Sequence, residues 1–93
     1  MVNTKKLVLD VLKPLRPNIL EFAQQLNADL AGVEVNIKVV GVDEKTQDVT
    51  ITLQGCLEYD TITASITALG ASIHSIDEVT TQNVEPASPD TDQ

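Results

Sequence analysis

The sequence has no tryptophan and only one each of phenylalanine, tyrosine, methionine, cysteine and histidine in 93 residues. Each scarcity excludes something. A lone cysteine, Cys56, rules out an internal disulfide and any two-cysteine metal or redox motif within one chain. With aromatics at 2%, no set of stacking rings is available for single-stranded RNA. Cations are scarce as well: six Lys and Arg against fourteen Asp and Glu give a formal net charge of −8. Phosphate neutralisation needs clustered cations, so nucleic-acid binding is disfavoured, and an anionic membrane surface would repel the chain. No segment approaches the roughly 20 apolar residues that cross a bilayer. The start, MVNTKKLVLDVLKPLRP, has a short apolar run without a small-residue cleavage site, and fits a strand better than a signal peptide. A soluble, cytoplasmic protein is expected.

What is present is aliphatic. A chain this short makes one domain, and it buries only about 60–65% of its unfolded surface. Ile, Val and Leu must supply most of a thin core, and partner subunits are a common remedy for such a shortage. A homo-oligomer is therefore expected.

In chain order, Lys5 to Leu12 (KKLVLDVL) predicts a central strand, with Leu7, Leu9 and Val11 on one face and Val8, Asp10 and Leu12 on the other. KPLRPN stops it, and Asn18 with Glu21 resembles a capping box for a helix from Ile19 to about Asp29. Ile19, Phe22, Ala23, Leu26 and Leu30 recur at helical spacing on its buried stripe, and Gly32 suits the turn beyond it. Val33 to Val42 and Asp48 to Gln54 alternate apolar and polar residues around the polar loop DEKTQ, a hairpin signature. Pairing Val42 with Asp48 sets Ile37 opposite Leu53 and Val39 opposite Ile51, with matching faces. Asp60 is the expected N-cap of a second helix, Thr61 to Leu69, which buries Ile62, Ile66 and Leu69. Gly70 ends it, and Ala71 to Val79 is the last strand. Residues 1–80 form the domain, and the polar, acidic segment 81–93 is expected to be a disordered tail.

The order strand, helix, strand, strand, helix, strand predicts an α+β, ferredoxin-like βαββαβ fold: a four-stranded antiparallel sheet with two helices on one face. The last strand and Val33 to Val42 take the edges. The segment VEVNIKVV is apolar for an edge and invites pairing with a neighbour.

Leu7 to Pro14 (LVLDVLKP), Ile19 to Ala23 (ILEFA), VEVNIKVVGVD and above all Ile73 to Val79 (IHSIDEV) resemble the Domain of Unknown Function 211 family over nearly all of residues 5 to 80. The resemblance implies a ferredoxin-like fold assembled into ring-like homo-oligomers, with divalent-cation binding in some members. It implies no enzymatic activity.

Several residues are candidates for chemistry. Setting Asp10 opposite His74 brings Lys6 opposite Glu78, Val8 opposite Ile76 and Leu12 opposite Ser72, so two opposite-charge pairs fall on the helix-free face. The plain role of Asp10 and His74 is to fix register. The sharper one is ligand or metal binding, together with Asp77 and Glu78. Asp77 has the parity of Ile73 and points inward unless the strand bulges or ends near Ser75. A hard cation such as calcium needs six to eight oxygens, more than one chain offers here, so such a site would be shared between subunits. Lys13 and Arg16, beside the first helix start, are candidate anion ligands, although a loop without glycines reads more simply as a stiff surface turn. Cys56 has no base placed to activate it. Two functional classes follow. One is a non-catalytic, ring-forming protein that binds a cation, a small molecule or a protein partner in a regulatory role. The alternative is a small enzyme with a subunit-shared site, using Asp10 and His74 as acid and base.

Overall fold

A computed structural model describes residues 1–84. The chain runs β1 (Val2–Pro14), α1 (Ile19–Asp29), β2 (Glu34–Val42), β3 (Thr46–Leu57), α2 (Tyr59–Ala68) and β4 (Ser72–Asn83). All pairings are antiparallel and the sheet order is β2-β3-β1-β4. This is the ferredoxin-like arrangement, with β1 and β3 inside and β2 and β4 at the edges.

Alternation decides which side is covered. Leu7, Leu9 and Val11 of β1 and Val49, Ile51 and Leu53 of β3 are buried, and they face each other in register. Phe22 and Leu26 of α1 and Ile62 and Ile66 of α2, all fully buried, close over them. Burial of each such side chain contributes about 1.5–3 kcal/mol relative to exposure. The expected apolar stripe of α1 thus faces the core, with Ile19 packing at its margin. Both halves of the capping box form: Asn18 Oδ1 accepts from the Glu21 amide at 2.9 Å, and the Asn18 amide donates to Glu21 at 3.4 Å.

Four details differ from the sequence expectations. In the β2–β3 hairpin, Ile37 faces Ile51 and Val39 faces Val49, two residues from the anticipated register. Thr46 and Gln47 belong to β3, which shortens the turn, and a bulge at Val40 takes up the odd residue. A two-residue slip preserves the faces, so alternation alone could not detect it. The second helix starts at Tyr59, and its N-cap is Glu58 rather than Asp60. Gly55, Cys56 and Leu57 continue β3 instead of breaking it. Finally, β4 continues to Asn83, because Val2, Asn3 and Thr4 supply backbone partners for Asn83, Gln82 and Thr81. The first three residues assigned to a tail are therefore strand, and residues 85–93 of that tail lie outside the described residues. Among the described residues no helix is long and apolar enough to cross a membrane.

Candidate functional site

The outer strand β4 carries its apolar residues at a spacing of three: Ile73, Ile76 and Val79. Its partner β1 carries Val11, Leu9 and Leu7 at a spacing of two. The register reconciles them, pairing Val11 with Ile73, Leu9 with Ile76 and Leu7 with Val79. Two shifts are needed, and His74 and Asp77 are the extra residues. Each bulge keeps the next apolar residue on the covered side of the sheet. That period of three was the sequence signal for both bulges. It also answers the parity question about Asp77: the strand bulges there.

The bulges change which backbones are opposite, yet both expected charge pairs form. Asp10 is paired with Ser75 and Val8 with Glu78, while Leu12 does face Ser72. His74 Nδ1 nevertheless lies 3.3 Å from Asp10 Oδ2, and Lys6 Nζ lies 3.0 Å from Glu78 Oε2. The anticipated Val8–Ile76 pairing is replaced by Leu9–Ile76. The His74 side chain is 79% exposed and that of Asp10 34%. Exposed pairs of this kind are worth about 0–1 kcal/mol and act mainly on register. Asp77 accepts a 2.7 Å hydrogen bond from the Ser75 hydroxyl. Asp10, His74, Asp77 and Glu78 thus lie along one ribbon, each with its own partner. Among the described residues, no three or more His, Cys, Asp or Glu side chains gather as a metal ion would require.

Lys13 and Arg16 do not share a site. Lys13 continues the inward row of Leu7, Leu9 and Val11, and it is fully buried. Its Nζ donates to Pro14 O at 2.7 Å, Leu15 O at 3.4 Å and Gln47 Oε1 at 3.0 Å, and it lies 5.7 Å from the Phe22 ring centroid. An ammonium has three donors, and all are engaged. Burial pushes its pKa below the ordinary lysine value. Arg16 is exposed in the turn after β1. Sequence reasoning missed this buried lysine, although strict alternation from Leu7 would have placed it inward.

A half-open hollow of about 190 Å³ lies between the end of α1 and the start of α2, with Leu30, Val33, Leu57 and Ile62 as its floor. Asp29, Glu58 and Cys56 reach its rim. Asp29 already accepts a 2.7 Å hydrogen bond from Ser65. Among the described residues, the buried side-chain hydroxyl without a partner is that of Thr63, which does not line the hollow.

The outer row of β4 has the less ordinary surface. Ile76 and Val79 are on the covered side by register, yet 47% and 51% exposed, while their partners Leu9 and Leu7 are buried. The helices close over β1 and leave this part of β4 open. On the opposite edge, Val40 and Val42 of β2 are also exposed.

Two comparisons bear on this arrangement. The sequence profile of the DUF211 family, described as uncharacterized ArCR, matches residues 5–86. An uncharacterized protein of Methanocaldococcus jannaschii is 42% identical over 81 residues, which cover 85% of this chain and 82% of the relative.

Proposed function

The chain belongs to the DUF211 family, and from that premise we propose that it is a self-assembling, non-catalytic subunit whose edges β4 and β2 join those of neighbouring copies. The observation that carries this reading is the half-exposed pair Ile76 and Val79 on an edge strand. An edge presents unpaired N–H and C=O groups, and apolar side chains beside them add a reason to be covered. The two edges differ in sequence and lie on opposite sides of the sheet. A β4-to-β2 contact is therefore heterologous, repeats from copy to copy, and gives a ring when its rotation closes. The small aliphatic core supports the same reading, since subunit contacts add buried area that one chain lacks. Asp10 and His74 lie on the helix-free face beside this edge, with the imidazole open to water, and suit a charge contact at a subunit border better than acid–base chemistry in a water-excluded site. A solvent-facing lone thiol, Cys56, is consistent with a reducing, cytoplasmic setting.

Sedimentation velocity and light scattering of the full chain at micromolar concentration test the proposal. The expected mass is a multiple of 10.0 kDa. Ile76→Lys and Val79→Lys should shift the distribution to monomer with the circular dichroism spectrum unchanged. A wild-type chain that sediments as a clean monomer overturns the reading.

A further inference from the structure

The chain holds one histidine, His74, and its unperturbed type is the only side chain that changes charge between about pH 5 and 8. That residue sits at a bulge of the outer strand β4, with its ring nitrogen 3.3 Å from the Asp10 carboxylate. Two steps along the same strand, Ile76 is left half-exposed on the other side of the sheet. The single imidazole of the chain is thus placed on the strand that the proposed contact uses, beside a carboxylate of the neighbouring strand.

Resting on that self-assembly reading, we propose that protonation of His74 strengthens the contact made by β4, so that copies associate more tightly as pH falls through the histidine range. Two effects point the same way. Protonation turns a hydrogen bond between a neutral imidazole and the Asp10 carboxylate into an ion pair, which fixes the bulge and with it the line of the edge. It also makes each strongly acidic subunit one unit less negative, which lowers repulsion between copies. Among the described residues, the charged group of β1 that meets His74 is Asp10; farther along the same face, Lys6 is held by Glu78. On β4 itself the charged groups are Asp77 and Glu78. The row of Asp10 continues inward through Thr50 of β3 to Lys38 of β2. The acidic residue in the first turn of α2, Asp60, belongs to the layer on the opposite face of the sheet.

The test is the association constant of the full chain from about pH 7.5 to 5.5 at fixed ionic strength, a window above carboxylate titration. The wild type should associate roughly two- to fivefold more tightly at the acid end, the scale of one exposed ion pair per contact. His74→Gln should show no pH response and the weak constant. His74→Arg should hold the tight constant throughout, and Asp10→Asn should reduce the response. Circular dichroism confirms that each variant is folded. Association that ignores pH in the wild type, or a response that survives His74→Gln, overturns the inference and leaves the self-assembly reading intact. A monomer at every pH overturns both.

Discussion

Gln47 Oε1 stands 3.0 Å from Lys13 Nζ, so a neutral amide on β3 occupies the place of a counter-ion beside a fully buried ammonium. Gln47→Leu removes one of three acceptors from a charged donor that water cannot reach. The expected loss is about 1.5–3 kcal/mol in urea unfolding, since an unmet hydrogen bond to a buried charge costs more than a neutral one. Lys13→Met, similar in length and without a charge to satisfy, should stay within about 1 kcal/mol of wild type or exceed it. If Gln47→Leu were as stable as wild type, the amide would not be holding the ammonium.

The same lysine sets a pH dependence. Burial lowers its pKa from 10.5 in the folded state. Below the lowered value both folded and unfolded chains hold the proton, and the burial penalty is present in full. Between the lowered value and 10.5, only the unfolded chain holds it, so the lysine's contribution to stability rises with pH. The stability difference between Lys13→Met and wild type should therefore move in favour of wild type as pH climbs through that window. Paired urea titrations at several alkaline pH values measure it. A difference that stays flat would mean the ammonium keeps its ordinary affinity for the proton.

Gly55 and Gly32 separate strain from contact. Both have positive φ, +139° and +76°. A Cβ on Gly55 would meet Gly32 O at 2.7 Å and Val33 Cα at 3.3 Å, and both are backbone atoms that cannot rotate away. A Cβ on Gly32 meets nothing within 4 Å. Gly32→Ala should cost about 1–2 kcal/mol, the conformational term alone. Gly55→Ala should cost about 3 kcal/mol, because the chain between α1 and β2 must shift as well. Equal losses in thermal unfolding would show that the close approach contributes nothing.

The element order, the sheet edges and the inner faces were legible because burial of one face imposes a period of two on a strand and about 3.6 on a helix. The charge pairs Asp10–His74 and Lys6–Glu78 were legible because opposite charges mark strands that lie side by side. Register was not. Ile37 meets Leu53 or Ile51 equally well by parity, and only the turn geometry after Val42 chooses. The bulge at His74 was hidden, and the one at Asp77 was left open against an early strand end, because IHSIDEV reads as a plain strand until its spacing of three is set beside the spacing of two in LVLDV. Lys13 escaped notice because its charge argued for the surface, while its position, two residues past Val11, argued for the interior. Position prevailed because Pro14 O, Leu15 O and Gln47 Oε1 were at hand to satisfy it.

The two helix starts are unequal, and that inequality is measurable. Asn18 caps α1 through the Glu21 amide, whereas Glu58 precedes α2 with no side-chain hydrogen bond to its first turn. Three threonines lie within α2, so its intrinsic propensity is low and its free amides matter more. Asn18→Ala should lower stability by about 1 kcal/mol, the usual value of a cap. Glu58→Asp shortens the side chain by one methylene and keeps the charge, which brings a carboxylate oxygen to the range where aspartate caps amides. That change should raise stability by roughly 0.5–1 kcal/mol, or up to about 8 °C in Tm for a domain of this size. Its backbone is already extended, at φ −116° and ψ 111°, as an N-cap requires. A Tm for Glu58→Asp at or below wild type would mean that the amides of α2 are already satisfied by water and that packing of Ile62 and Ile66 alone holds the helix.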